Sequence, residues 1–516
     1  MTKEQKRKIE RLLNNSIDSL TPNELIEKLE EVISKLEPNI ILLSDAYKYS
    51  HPDFYTEGLT YLKSYLESRG GRFSETVMFG TQYIVKKFFV GQVLSTNMID
   101  EADKKLNSEN GTFNGVQIFP KEKWLKLLDK HNGVLPLKIR AVREGTVVPT
   151  KNVLLTIENT DDEFAWLTNF VESLILQIWY PITVATLSRE CKKVVKDYLI
   201  ETGTKPKDVE PLIQYIINNF GFRGVSSVES ATIGGMAHYV NFLGCDDVIA
   251  SDTLMKYYGA KYMYGKSIPA TEHSICTIEG EEGELNTFKR CLTTHPSGVV
   301  ACISDSYNII RACETYWGTI LKNEILQRNG TLVIRLDSGH PVQTIKRVMN
   351  ILFDKFGYSK NDKGFKVLPP QVRIIQSDGV NYDSIIDIYN MFVEEKISAE
   401  NMFLGMGGKL LQAGIDRDLF NFAIKACYGI INDRPVNIVK NPLEIDENGN
   451  TQVSFKKSKK GDVKLVTSKI DGSYRTITSD NTPDFDNYRD ELVTIFENGI
   501  LIVDDHINMI RERAIL

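Results

Sequence analysis

The strongest constraint on the fold is a rhythm in the second half of the chain. Short apolar runs, most of them β-branched, recur at "DVIA" (247–250), "GVVACIS" (298–304), "TLVIRL" (331–336), "VRIIQ" (372–376) and "NMFLG" (401–405), with helix-like stretches between them. Near-continuous apolar strands separated by helices predict a parallel sheet covered on both faces. A repeat of about 30–40 residues per strand–helix unit suits an α/β barrel or a doubly wound sheet. At 516 residues the chain exceeds what one hydrophobic core usually serves, so a second, smaller unit is expected.

In parallel α/β folds the C-terminal strand ends form the face that holds the site. Here they end alike. "VVACIS" runs into Asp305-Ser306, and "LVIRL" carries Arg335 and ends in Asp337-Ser338-Gly339. "RIIQ" ends in Ser377-Asp378-Gly379, and "NMFLG" is followed by Gly407-Gly408. A single Asp-Ser or Asp-Gly is ordinarily a turn or a helix cap. Three carboxylates on one face, however, repel unless they hold a cation, ribose hydroxyls or a basic partner. Gly407-Gly408 lets backbone N–H groups approach a phosphate. The face reads as a site for a phosphorylated sugar with Mg²⁺.

Two earlier stretches add to it. In "FGFRGVSSVESA" (220–231), Arg223 lies among small residues near Phe220 and Phe222, a pairing that sandwiches a flat ring or grips a phosphate, or is simply a surface arginine beside core aromatics. In "SIPATEHSIC" (267–276), His273 stands beside Glu272 and is hemmed in by Ile268, Ala270 and Ile275. It is a satisfied core residue, a metal ligand or a chemical group. No second His or Cys lies at zinc-ligand spacing. The basic run "KKSKKG" (456–461) reads as a solvated loop or a partner for a triphosphate. "GAKYMYGKS" (259–267) is not a P-loop, since five residues separate its glycines instead of four and no apolar strand precedes it.

Several classes are disfavoured. A net charge of −6 gives no general pull towards nucleic acid or an anionic membrane. Seven cysteines with no CxxC pair suggest neither a disulfide framework nor a zinc knuckle, and read as buried thiols in a reducing cytosol. The start, "MTKEQKRKIERLL", lacks the apolar region of a secretory signal. The longest apolar stretch, "FVESLILQIWYPITVA", contains a Glu and a Pro. A cytoplasmic location is expected.

Residues 1–38 form an expected helical extension, with Thr21 as N-cap, Pro22 at the first helical position and Glu24 completing a capping box. Residues 163–200 are helical in pattern, interrupted at Pro181. Residues 450–475 alternate like antiparallel strands around a basic turn. The expected domains are this extension, a smaller α/β domain from 39–178 with 430–516, and a barrel over 179–429.

Taken in order, these segments resemble the nicotinamide phosphoribosyltransferases of the type II phosphoribosyltransferase family. The likeness begins at "SDAYKYSHPDFY" (44–55) and continues through "YLESRG", "ETVMFGTQYI", "WYPITVATLSRE" and "FGFRGVSSVESA". It then runs through "SIPATEHS", "SDSYN", "IRLDSGHP", "QSDGV" and "GMGGKLLQ". It implies an irregular α/β barrel with a smaller α/β domain, in a homodimer whose sites are shared between subunits. It also implies transfer of phosphoribosyl from phosphoribosyl pyrophosphate to nicotinamide, driven by ATP through a phosphohistidine, with Mg²⁺.

By that resemblance His273 is the phosphorylated histidine, and a neutral, oriented imidazole needs a carboxylate behind it. Asp305 and Glu272 are candidates, and side-chain alternation in a strand favours Asp305. Phe220 stacks on the nicotinamide, with Tyr47 from the other subunit. Asp246 accepts from the carboxamide and disfavours nicotinate, and Ser267 falls in the same substrate-binding set. Arg223 and Arg335 lie around the nicotinamide and the product phosphate and ribose, Asp337 contacts the ribose, and Asp378, Gly379, Gly407 and Gly408 form the ribose and phosphate turns. Arg69, Arg417, Lys425, Lys440 and Lys456 serve pyrophosphate and ATP phosphates, and no residue is assigned as a metal ligand.

Asn219 stands where the family has Asp, Ala46 replaces Ser, the glycine turn reads Gly-Met-Gly-Gly-Lys, and one extra residue precedes Arg417. The rivals are a nicotinate phosphoribosyltransferase, a non-catalytic binding or signalling protein on the same scaffold, and an unrelated sugar-phosphate barrel enzyme.

Overall fold

The computed structural model describes residues 20–21, 24–25, 38–445, 449, 451–454, 456–479, 481 and 485–516. Five strands run parallel in one sheet, in the order Ile217–Asn219, Met402–Met406, Val372–Gln376, Asn329–Leu336 and Ser297–Ile303. Amphipathic helices cover them. Pro341–Phe356 buries Ile345, Val348, Met349 and Leu352 at helical spacing. Tyr382–Glu394 starts at a capping box formed by Asn381 and Ser384.

The sheet curls and is carried round by single parallel bridges. Ala270 pairs with Ala301 on one edge strand, Lys266 pairs with Gly244, and Cys245 pairs with Asn219 on the opposite edge. Residues 266–270 and 244–245 thereby act as two short staves that close an irregular α/β barrel, the architecture expected from the sequence. Inside, Ala301, Val333 and Ile375 form a small apolar layer with Phe220 and Phe403 packed against it.

The second sheet has seven strands, in the order Arg434–Asn437, Phe422–Ile431, Leu59–Ser68, Val153–Asn159, Leu137–Ala141, Val493–Glu497 and Ile500–Leu501, all antiparallel. It draws on both halves of the chain, and one continuous buried cluster joins it to the barrel. All seven cysteines are free and buried, as their apolar surroundings suggested.

Several local expectations change. "DVIA" is no strand. Asp247 caps the helix Val248–Tyr257 by accepting from the Ala250 N–H, so the β-branched pair opens a helix. Pro181 does not interrupt the helix Trp179–Glu201 but lies in its first turn, where a missing N–H costs nothing. In 450–475 the basic run is not a hairpin turn. Thr451–Val453 pairs back with Leu443–Ile445, and the hairpin is Lys464–Ser468 with Tyr474–Ile477. Phe422–Ile431 is already in the antiparallel sheet, ahead of residue 430 where the sequence placed the return. Of the N-terminal extension, the described part keeps its cap: Thr21 and Glu24 exchange hydrogen bonds of 2.8 and 3.3 Å between each side chain and the other's N–H. The rest of 1–38 lies outside the described residues.

A knot of side chains joins early and late segments. Gln82 donates to the Tyr257 carbonyl at 2.8 Å and accepts from the Asp505 N–H at 2.7 Å. Arg143 and Arg513 both bind the Asp505 carboxylate. Beside it Glu144 is fully buried and accepts from the Gln82 N–H at 2.7 Å, and burial pushes its pKa up to about 7. A carboxyl raised in the folded state binds its proton more tightly there than in the unfolded chain. Its contribution to stability is present at acid pH and is lost as pH rises through the folded value. Glu144→Gln, which mimics the protonated form, is expected to gain on the wild type by about 3 kcal/mol between pH 4.5 and about pH 8, read by urea denaturation across that range.

Candidate active site

The barrel's C-terminal strand ends converge on His273. Asp305 follows Ser297–Ile303, and its turn is anchored by the buried Ser304, which accepts from Trp317 Nε1 at 3.0 Å. One Asp305 oxygen, Oδ2, accepts from the Asp337 N–H at 2.7 Å and from Ser338 Oγ at 2.6 Å. The other, Oδ1, is buried with no hydrogen-bond partner and lies 3.9 Å from His273 Nε2. Asp337 Oδ2 lies 3.8 Å from His273 Nδ1. The imidazole is half exposed while the Asp305 side chain is only 3% exposed. Each ring nitrogen therefore faces a carboxylate just beyond hydrogen-bond reach.

His273 begins a five-residue helix, His273–Thr277, with Glu272 at its N-cap. Strand alternation thus does not apply at this point. The Glu272 carboxylate instead accepts from the Ser274 hydroxyl, and the imidazole faces Asp305 and Asp337. The helix is tied to the barrel by Thr271, whose Oγ1 accepts from the Ile303 N–H at 2.9 Å.

Inside the barrel lies a cavity of about 550 Å³, lined in part by Phe220, Asp246, Ser267, Arg335, Val333 and Phe403. The Arg335 guanidinium sits 5.5 Å from the Phe220 ring centroid, and its Nε donates to Ser377 Oγ at 2.9 Å. Ser377 Oγ in turn donates to Asp337 Oδ1 at 2.6 Å. Cavity and histidine are thereby connected through Arg335, Ser377 and Asp337. On the far wall, Asp246 Oδ1 accepts from Ser267 Oγ at 2.5 Å. Asn219 is buried and structural: its Oδ1 accepts from the Gly221 N–H at 2.8 Å and its Nδ2 donates to Cys245 Sγ. Arg223 is exposed on the turn Phe222–Gly224, which abuts the Gly407-Gly408 turn; a Cβ on Gly224 would sit 3.1 Å from the Gly408 nitrogen. Asp378 and Gly379 lie exposed beyond Ser377.

The remaining residues gather elsewhere. Tyr47 is 61% exposed on Ala46–Ser50, edge-on to His51. Arg69, Arg417, Lys425 and Lys440 form a basic cluster on and beside the antiparallel sheet. Burial lowers the Lys425 pKa, Glu172 opposes this, and Arg69, Lys440 and Arg417 lower it further. Arg69 Nε donates to the buried Glu67 at 3.1 Å, while its Nη2 is buried without a partner. Lys456 donates its N–H to Ser454 Oγ at 3.1 Å, and Lys459 pairs with Glu67. Among the described residues, no hydrogen bond or ion pair links Tyr47 or this cluster to His273 or Phe220. Sequence reading missed Ser338, Ser377 and Glu67. The only signal for the serines was a hydroxyl next to an acidic strand end, a pattern common to turns.

Residues 215–475 match the nicotinate phosphoribosyltransferase (NAPRTase) family, and residues 39–139 match the N-terminal domain of nicotinamide phosphoribosyltransferase. A nicotinamide phosphoribosyltransferase of Xanthomonas campestris is 39% identical over 92% of this chain and 98% of its own. That of Acinetobacter baylyi is 30% identical over 91% and 95%. Among solved structures, nicotinate-nucleotide pyrophosphorylase from Pyrococcus furiosus has a TM-score of 0.56 at 14% identity, covering 92% of this chain and 95% of that one. Human nicotinic acid phosphoribosyltransferase has a TM-score of 0.51 at 13% identity, covering 91% and 92%; both likenesses are of fold. The fold and these matches make the chain a phosphoribosyltransferase of the type II class. Within that class it belongs to the nicotinamide phosphoribosyltransferase family.

One backbone position holds the ring wall in place. A Cβ on Gly405 would lie 2.3 Å from the Phe220 ring. Gly405→Ala is expected to displace that ring and cost about 1–3 kcal/mol of stability. Chemical denaturation reads the loss, and a variant as stable as wild type would show that the ring moves freely.

Proposed function

We propose that the chain transfers phosphoribosyl from phosphoribosyl pyrophosphate to nicotinamide, giving nicotinamide mononucleotide and pyrophosphate for NAD salvage, and that ATP phosphorylates His273 to drive the step. The observation that carries this is the His273 imidazole set between Asp305 and Asp337 beside an aromatic-walled cavity.

Nicotinamide lies against Phe220, with Arg335 over the same ring. Its carboxamide N–H donates to Asp246, whose Oδ1 already accepts from Ser267. A nicotinate carboxylate would meet that charge repulsively. The pyridine nitrogen attacks the anomeric carbon as the bond to pyrophosphate breaks. Little proton transfer is needed, so positioning and charge stabilisation dominate. Asp337, Asp378, Gly379 and the Gly407-Gly408 turn hold ribose and phosphate, with Arg223 close by. For the phosphohistidine, the ring nitrogen facing Asp305 keeps its proton while the other takes the γ-phosphoryl group and ADP leaves.

Among the described residues no cluster of three or more His, Cys, Asp or Glu side chains is set to bind a metal by itself. The oxygen donors Asp305 and Asp337, one with a buried lone oxygen, nonetheless fit Mg²⁺, which takes one or two carboxylates together with substrate phosphates. Mg²⁺, when bound, supplies charge neutralisation on the leaving pyrophosphate.

Shared sites in a homodimer account for the exposed Tyr47 and for Arg69, Arg417, Lys425, Lys440 and Lys456 lying apart from His273. In that arrangement a second copy brings these groups to the barrel. Mixing Tyr47→Ala with His273→Ala is then expected to restore about a quarter of wild-type ATP-stimulated turnover, since half the dimers carry one intact site. Mixtures no better than either variant alone would place complete sites within single chains.

The direct test follows mononucleotide formation from nicotinamide or nicotinate, with and without ATP. Wild type is expected to use nicotinamide with ATP stimulation. His273→Ala keeps basal turnover and loses the stimulation. Asp246→Asn shifts the nicotinamide-to-nicotinate ratio by about 10- to 100-fold towards the acid. Preference of the wild type for nicotinate would instead assign the acid as substrate.

A further inference from the structure

A second cavity, of about 590 Å³, lies between the loop Ala260–Lys266 and the C-terminal helix Ile507–Arg513. Its wall is the "GAKYMYGKS" stretch that fails as a P-loop. Lys261, Lys266, His506 and Arg511 line it, and none of the lining residues is Asp or Glu. Arg511 makes the floor. Its Nη1 donates to the Phe242 carbonyl at 3.2 Å and to the Tyr239 carbonyl, and its Nη2 donates to the Gln214 side chain. All three partners are neutral. Among the described residues, no ion pair is made by Arg511, Lys261 or Lys266. A largely buried guanidinium held only by neutral acceptors keeps an uncompensated charge, which favours an anion in the adjoining space. The field is felt nearby: burial and then Arg511 bring the Lys192 pKa down to about 8. The cavity also offers flat and apolar surface. Tyr262 is 78% exposed and Met263 42% exposed, and Tyr264 stands under the Arg511 guanidinium at 5.6 Å.

We infer that this cavity is a second binding site, separate from the barrel cavity, for a phosphorylated aromatic ligand of the nucleoside monophosphate class. The phosphate meets Lys261 and Arg511, and the ring lies on Tyr262 and Met263. The volume suits a ligand of that size. Lys266 gives the site a route to the barrel. It lines both cavities, its backbone is a barrel stave paired with Gly244, and its neighbour Ser267 donates to Asp246. Occupancy therefore bears on the stave that forms the far wall of the barrel cavity.

The test uses the full chain with ¹³C-methyl methionine, the Met263 resonance being assigned by Met263→Leu. AMP is titrated, with inorganic phosphate and adenosine as the separate halves of the ligand. A saturable Met263 shift with AMP, weaker with phosphate or adenosine alone and weakened about tenfold in Lys261→Ala, is the expected result. Lys261 lies outside the residues assigned to the reaction, so basal turnover of that variant should be unchanged. Three outcomes overturn the inference. Met263 stays still while Met406, beside Phe220, moves, which places AMP in the barrel site only; no methionine moves at millimolar AMP; or Lys261→Ala binds AMP as well as wild type.

Discussion

Asp305 carries a charge almost wholly removed from water, and such a charge is tolerated only where donors surround it. Both donors on its Oδ2, the Asp337 N–H and the Ser338 hydroxyl, come from the end of the neighbouring strand. The carboxylate therefore fixes two strand ends against each other, and its remaining oxygen is aimed at His273. The local fold is a consequence. Asp337 is turned so that one oxygen meets Ser377 and the other faces the imidazole. Ser377 in turn fixes Arg335 above the Phe220 ring. One buried charge thus orders the histidine and the cavity wall together.

The barrel supplies the other half of the design. Its inner layer is built from Ala301, Val333 and Ile375, while Gly405 and the small staves 244–245 and 266–270 leave room beside them. Larger residues at those positions would fill the interior, as the layers of many barrels do. Here the missing volume is the cavity. The site is open because the wall is thin and irregular, and it stays ordered because the polar rim is cross-linked.

Much of this was legible in the sequence, and unevenly. Four of the five apolar runs are strands, each with its central or C-terminal residues buried. "DVIA" failed because four residues do not separate a strand from a helix start, and Asp247 is as good a cap as a strand-end acid. The closing staves 244–245 and 266–270 gave no signal: single bridges between small and polar residues have no period to detect. Asp305 and Asp337 were legible because strand ends converge by topology. Ser338 and Ser377 were not, because a hydroxyl after an acid is equally at home in any turn. The basic cluster was visible as charge alone. Its assembly depends on Leu59–Ser68 finding Phe422–Ile431, a pairing no local pattern announces.

That same pairing has a consequence for synthesis. The barrel is built from contacts within one central stretch of chain and can form as that stretch emerges. Leu59–Ser68 gains Val153–Asn159 on one side early. Its other edge waits for residues 422–431. At translation speeds of about 5–20 residues per second, the wait lasts on the order of tens of seconds. For that time an apolar edge with unpaired N–H and C=O groups stands open on the ribosome-bound chain, a template for any stray strand. Because the last barrel strand, Met402–Met406, is made only shortly before Phe422–Ile431, that edge stays open through nearly the whole synthesis of the barrel.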